Sequence, residues 1–82
     1  MLDYRAVSRT NLEVVELEAK GRCKCTKAPI GQLKLPEGVV IGGIVSRGVP
    51  LLPRADYRIR AGDKAIVLTL PEHMVEVENL FQ

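Results

Sequence analysis

The sequence predicts an α+β domain in two layers, a mainly antiparallel sheet with a short helix and a C-terminal helix, in the order β-α-β-β-β-α. Two patterns carry this. Short apolar runs bounded by glycine and proline turn signals recur from residue 12 to residue 70, and the last segment changes from two-residue to helical spacing. The size agrees: 82 residues make one small domain, and 46% hydrophobic with 27% charged residues describes a globular chain, not a disordered, collagenous or coiled-coil one. A domain this small buries only roughly 60 to 68% of the surface its unfolded chain exposes, so association with a second copy would help it, and a homodimer is expected.

Residues 1–11 mix charge with Ser and Thr and read as a lead-in or linker remnant, leaving residues 12–82 as the domain. Leu12 to Ala19 alternates, with a phase slip at Val14-Val15 that a bulge or a half-exposed edge would produce. Lys20 to Lys27 places Lys20, Arg22, Lys24 and Lys27 around Gly21 and two cysteines, which reads as a solvated loop. Pro29 near the start of Ala28 to Leu33, with Ile30 and Leu33 three apart, predicts one or two helical turns.

Pro36-Glu37-Gly38 is a turn signal. After it, Val39 to Val45 is apolar or glycine on both faces of a two-residue period: Val39, Ile41, Gly43 and Val45 on one side, Val40, Gly42 and Ile44 on the other. That is a central strand, and Gly42-Gly43 within it suggests a close approach by another backbone, a ligand or a second subunit. Arg47-Gly48 forms a two-residue hairpin turn into a return strand, Val49 to Leu52, which Pro50 places at an edge. Tyr57 and Ile59 alternate with Arg58 and Arg60, Ala61-Gly62-Asp63 is a turn, and Ala65 to Leu70 is a strand with Ile66, Leu68 and Leu70 on one face. Pro71 opens a helix whose N-terminal turn holds Glu72 and whose apolar stripe is Met74, Val77, Leu80 and Phe81.

Composition narrows the function. Twelve Lys and Arg against ten acids give a net charge of +2, without the basic face of a duplex binder, and two tyrosines and one phenylalanine are few stacking platforms for a single strand; no nucleic acid partner is expected. The apolar run Val39 to Val45 is far shorter than the ~20 residues of a membrane span, so a membrane role requires a partner. Cys23 and Cys25 are too close to staple a fold, and with no signal peptide ahead of them a reducing cytoplasm is expected. With His73 they are three potential zinc ligands, but Cys-x-Cys is not the paired spacing of structural zinc sites and a fourth ligand is missing, so no metal is expected. His73 reads instead as a partly buried helix-end residue. Neither Ser8 nor Ser46 lies in a nucleophile elbow, so no catalytic residue is assigned and the chain does not read as an enzyme. A G-x-G-x-x-G loop and a P-loop are both lacking. Arg47, Arg54, Arg58 and Arg60 come from neighbouring turns, either converging on an anionic ligand or solvated and paired with Asp56, Asp63 and nearby glutamates.

In order, Leu33-Lys-Leu-Pro-Glu-Gly38, Val39-Val-Ile-Gly-Gly-Ile-Val45, Arg47-Gly48, Leu51-Leu-Pro-Arg54, Arg60-Ala-Gly-Asp63, a strand ending Leu70-Pro-Glu72 and a helix ending Asn79-Leu-Phe81 resemble one family across Leu12 to Phe81. It is the C-terminal regulatory domain of Trk-type potassium uptake proteins, the TrkA-C or RCK-C domain. The resemblance implies a β-α-β-β-β-α domain that dimerises, accompanies a Rossmann-type nucleotide-binding domain, and gates or modulates a membrane potassium channel or transporter from the cytoplasmic side. It also implies cyclic di-AMP or another small anionic ligand at a dimer cleft, held here by Ile41, Gly42, Ser46, Arg47, Pro53 and Arg54. Gly42-Gly43 stands where the ligand-binding relatives carry bulky aliphatics, Arg54 replaces a neutral polar residue, and the basic cysteine loop lies outside the family pattern. The rival reading is a purely structural assembly domain with no ligand of its own.

Overall fold

A computed structural model describes residues 11–82; the expected lead-in lies outside them but for Asn11. Among the described residues four strands, β1 (Glu13–Glu18), β2 (Val39–Ser46), β3 (Val49–Leu51) and β4 (Lys64–Thr69), precede one α-helix, α1 (Met74–Phe81). They form one sheet in the order β1-β4-β2-β3, every neighbouring pair antiparallel. The α+β arrangement expected from the sequence is therefore the one found.

β1 pairs with β4 without interruption, from Glu13 opposite Thr69 to Glu18 opposite Lys64. The slip at Val14-Val15 is thus not a bulge: Val15 and Leu17 turn inward, while Val14 lies on the outer face, 59% exposed, in a half-exposed edge strand. The irregularity sits in β2. Its pairing with β4 shifts between Ile41 and Gly43, leaving Gly42 as the extra residue of a bulge. The bulge moves Ile44 onto the same face as Val39 and Ile41, and all three are buried; the strict two-residue alternation, which placed Ile44 opposite them, is corrected. The other backbone feature of note is the turn between β2 and β3. Arg47 and Gly48 have φ of 52° and 79°, the two left-handed residues of a type I′ turn whose twist matches that of paired strands.

The inner face of the sheet supplies Val39, Ile41, Ile44, Ala65, Val67 and Thr69. Val77 and Phe81 of α1 close over it, with Ala19, Cys23, Cys25 and Ile59 filling the margins. Each of Ile44, Ile59, Val67 and Val77 is fully enclosed, worth about 1.5–3 kcal/mol of apolar burial apiece. α1 follows a 3₁₀ turn, Pro71–His73, so the helix begins three residues after the proline that starts its winding. Of the expected stripe, Val77 and Phe81 are buried and Met74 and Leu80 half-buried.

Two further corrections concern the link between β1 and β2. The segment expected as one or two helical turns is a single 3₁₀ turn, Ile30–Gln32, tied across to the 55–57 segment by Ile30 N–H to the Tyr57 carbonyl and Gly31 N–H to the Ala55 carbonyl, both 2.9 Å. The segment expected as a solvated loop contains another, Lys24–Thr26, and its cysteines point inward. Four cations flank them and are exposed while both cysteines are buried, so charge density concealed a core contribution.

Candidate functional site: a carboxylate-braced arginine hollow

Asp63 begins the structure of the site. The turn Ala61-Gly62-Asp63 is held by both backbone groups of the residue that follows β1: Ala19 N–H donates to the Asp63 carbonyl and Gly62 N–H to the Ala19 carbonyl, each 2.8 Å. This fixes the Asp63 side chain beneath the surface at 3% exposure. There its carboxylate accepts three hydrogen bonds: from Ser46 Oγ to Oδ1 at 2.7 Å, from the Tyr57 hydroxyl to Oδ2 at 2.5 Å, and from the Arg60 amide to Oδ2 at 3.0 Å. Among the described residues no buried side-chain polar atom is left without a partner.

The electrostatics follow from this geometry. Burial, the largest single influence on Asp63, pushes its carboxyl up, but the bonds from Tyr57, Ser46 and the Arg60 amide, with the Arg60 charge, outweigh it and hold the carboxyl below its ordinary range. Tyr57 moves oppositely: burial and then the proton it gives Asp63 raise its phenol. The cluster therefore rests with an ionised carboxylate and a protonated phenol. Both hydroxyl protons face Asp63, and His73 lies elsewhere, at the head of α1 with Nδ1 3.5 Å from Glu76 Oε1. The cluster is built as a brace rather than as a nucleophile and its base.

The braced strands and turns open onto a surface hollow of about 680 Å³, lined by Pro50, Leu51, Leu52, Arg54, Asp56, Tyr57, Arg58 and Arg60. Three arginines and an apolar floor suit an anion that also carries a flat or apolar portion. Arg54 Nε lies 3.7 Å from Asp56 Oδ1, but both side chains are largely in solvent, so this ion pair holds Arg54 only weakly. Arg58 reaches back to the Thr26 carbonyl at 3.5 Å. Asp63 takes the Arg60 amide in hydrogen bonding, not its guanidinium.

Of the six residues expected to hold a ligand, Arg54 lines this hollow. Ser46 is two hydrogen bonds removed, through Asp63 to Tyr57 and Arg60. Pro53 is half-buried between Leu52 and Arg54, and Arg47 is exposed in the hairpin turn. Gly42 is exposed at the bulge, whereas Ile41 is buried in the core. Of the four arginines read as either converging or solvated, Arg54, Arg58 and Arg60 lie along this hollow with exposed side chains, and Arg54 also faces Asp56. Sequence reasoning missed the floor, Leu51 and Leu52, and the role of Asp63, which a turn signal alone accounts for. A tyrosine six residues ahead of that aspartate was the available clue, visible only once the two are known to meet.

Comparison with known proteins bears on the whole chain. The Trk system potassium uptake protein TrkA homolog 2 of Methanosarcina mazei is 31% identical over 70 residues, covering 85% of this chain and 16% of its own length. The Trk system potassium uptake protein TrkA of Azorhizobium caulinodans is also 31% identical over 70 residues, covering 85% and 15%. The chain thus spans about a sixth of the length of these curated relatives. A solved chain described as "Structure of RCK domain with cda" superposes with a TM-score of 0.73 at 17% identity, covering 84% of this chain and 97% of that one, a likeness of fold. The family model for the TrkA-C domain matches residues 26–82, beginning at the cysteine-bearing 3₁₀ turn and running to the last residue. By that match and by these relatives, the chain belongs to the TrkA-C domain family.

Proposed function

We propose that this chain is the regulatory domain of a potassium transport system, acting at the cytoplasmic face of the membrane on a channel or transporter subunit, and that it does so as a homodimer without catalysis. The family match and the potassium-uptake relatives support the transport role. Among the described residues no helix is long and apolar enough to cross a membrane, which agrees with action through a partner. A Rossmann-type nucleotide-binding domain, on the same or another chain, is the proposed companion.

The observation that carries a ligand-binding reading is the arginine hollow braced by Asp63. In this reading a small anionic ligand, with cyclic di-AMP the leading candidate, sits against Arg54, Arg58 and Arg60 in that hollow; the family resemblance alone extends the site to Ile41, Gly42, Ser46, Arg47 and Pro53. Binding shifts the balance between two arrangements of the paired subunits, and that shift is what the transporter reads. The solved RCK chain described with "cda" supports looking for a ligand of that kind.

Thermal shift with cyclic di-AMP, ATP, a nicotinamide dinucleotide, potassium, calcium and zinc tests this. A ligand at about 100 times its dissociation constant adds about 2.7 kcal/mol, on the order of 10 °C for a domain this size. The expected result is one selective shift with an anionic nucleotide, reduced in Arg54→Ala and in Arg47→Asn. The second substitution suits a type I′ turn, so it removes the guanidinium without opening the hairpin. A second reading, an assembly domain with no ligand, is favoured by the exposed apolar outer face of the sheet, where Val14 and Val40 are 59% and 58% exposed. A flat thermal panel with intact dimers would select it.

A further inference from the structure

The loop between β1 and β2 holds chemistry that the regulatory reading leaves unused. Cys23 and Cys25 are free thiols, 1% and 0% exposed, with their sulfurs 3.0 Å apart. The spacing discriminates between the two things such a pair does. A shared zinc, about 2.3 Å from each thiolate, holds tetrahedral sulfurs about 3.8 Å apart and needs two more ligands. Among the described residues no group of three His, Cys, Asp or Glu side chains is placed to hold a metal. A covalent bond between sulfurs spans about 2.05 Å, so the thiols are already drawn together beyond metal-sharing distance and toward bonding distance.

The loop is built to give access by local opening. Cys23 N–H bonds the Lys20 carbonyl, Thr26 Oγ1 and N–H both bond the Cys23 carbonyl, and Lys27 N–H bonds the Lys24 carbonyl, all within the loop itself. Two longer-range bonds hold its ends, Lys20 N–H to the Phe81 carbonyl at 2.9 Å and the Arg58 guanidinium to the Thr26 carbonyl at 3.5 Å. Arg22, at φ 65°, stores backbone strain that opening releases. Few hydrogen bonds leave the segment, so opening has chiefly to expose two small buried side chains, and it costs less than global unfolding. Burial, followed by the neighbouring Cys23, pushes the Cys25 thiol up in the closed loop. Once open, the pair lies among Lys20, Arg22, Lys24 and Lys27, an electropositive setting that favours thiolate.

We propose that Cys23 and Cys25 are an oxidation site, closing to a disulfide within the loop of the folded domain when a peroxide is the oxidant. In the first step one thiolate sulfur attacks a peroxide oxygen, the O–O bond breaks, and a sulfenic acid and one water form. In the second the other sulfur attacks the sulfenic sulfur, the S–O bond breaks, the S–S bond forms and a second water leaves. Two thiols and one hydrogen peroxide thus become one disulfide and two waters. The closed ring fixes residues 23–25, the turn that packs on α1 and carries Lys24 into a second hollow lined also by Lys34, Glu76 and Asn79. Oxidation therefore bears on the α1 side of the domain and, through the bond from Arg58 to the Thr26 carbonyl, on the rim of the arginine hollow.

The test treats reduced, folded protein with hydrogen peroxide and reads free thiols, intact mass and a peptide map, with circular dichroism to follow the fold. Expected are loss of both thiols together, a mass lower by two hydrogens, a Cys23–Cys25 linked peptide, retained structure and full reversal by a thiol reductant. In Cys25→Ser the remaining sulfur gains oxygen instead. Thiols that stay free in the folded protein but react in urea overturn the proposal. So do oxygen adducts without hydrogen loss in the unsubstituted chain, or disulfides between chains. If Cys25→Ser does not fold, the mass and map of the unsubstituted protein decide alone.

Discussion

Asp63 has more depending on it than any other polar side chain described. Removing the carboxylate in Asp63→Ala leaves the Ser46 and Tyr57 hydroxyls and the Arg60 amide without their acceptor, and an unsatisfied buried donor costs about 1–3 kcal/mol. The half-buried site admits some water, so we expect a loss of about 2–4 kcal/mol in total, read as a lower urea midpoint. Tyr57→Phe removes one of the three bonds and should cost about 1–2 kcal/mol by the same measurement. The pH dependence has a definite sign. Because the folded carboxyl lies below its free value of 3.8, its contribution is complete above that pH and is lost as pH falls below it. Tyr57 and Cys25 are raised in the fold, so their contributions are complete below their free values of 10.0 and 9.0 and are lost as pH climbs past them. Urea midpoints across pH should therefore fall on both sides of neutrality, and Asp63→Asn should flatten the acid side while leaving the alkaline side. An unchanged acid limb in that variant would place the acid sensitivity in other carboxylates.

Elements were legible to different depths, for reasons that lie in where their information resides. The strands, the Arg47-Gly48 turn, the edge position of β3 and the apolar side of α1 follow from local spacing and turn chemistry, and each was read from the sequence. The bulge at Gly42 was not, because it belongs to the pairing of β2 with β4 and not to β2 alone. The buried cysteines were concealed by the lysines and arginine around them, whereas the turn at Ile30–Gln32 was read from Pro29 and the Ile30–Leu33 spacing, though not as a 3₁₀ turn. The hollow was half legible: its arginines stand out, while Leu51 and Leu52 read only as strand residues. That 3₁₀ turn also holds a glycine hemmed in by rigid neighbours. A Cβ on Gly31 would lie 2.9 Å from the Ala55 Cβ and 3.1 Å from its carbonyl oxygen, neither of them a flexible side-chain end. Gly31→Ala should push the turn off the 55–57 segment, costing about 1–3 kcal/mol, whereas Gly43→Ala, whose Cβ meets Ile66 at 3.7 Å, should be near neutral or slightly stabilising. Paired thermal melts of these two variants would separate close approach from bulge; equal effects would refute the distinction.

At the scale of the molecule the question is which surface another copy would meet. Ile41, which the resemblance placed at a dimer cleft, is core, so Ile41→Asp would unfold the monomer and report nothing about association. The outer face is the informative place: Val14, Leu68 and Val40 lie side by side across β1, β4 and β2. We expect Val40→Glu to leave the folded monomer intact and to abolish the proposed dimer in analytical ultracentrifugation; a dimer of unchanged strength would move the interface elsewhere. The two borders of the sheet bear on the same question. One is β1, with Glu13, Glu16 and Glu18 along it, and the other is β3, three residues long with a proline at its centre. Acidic side chains repel a like strand, and proline offers no amide to it. Such borders resist runaway growth of the sheet from copy to copy, so a concentrated solution of this domain stays clear for the same reason that its partner must arrive over a face. Replacing Pro50 with valine would restore the missing amide, and the first sign would be turbidity on standing rather than any change in the melting curve.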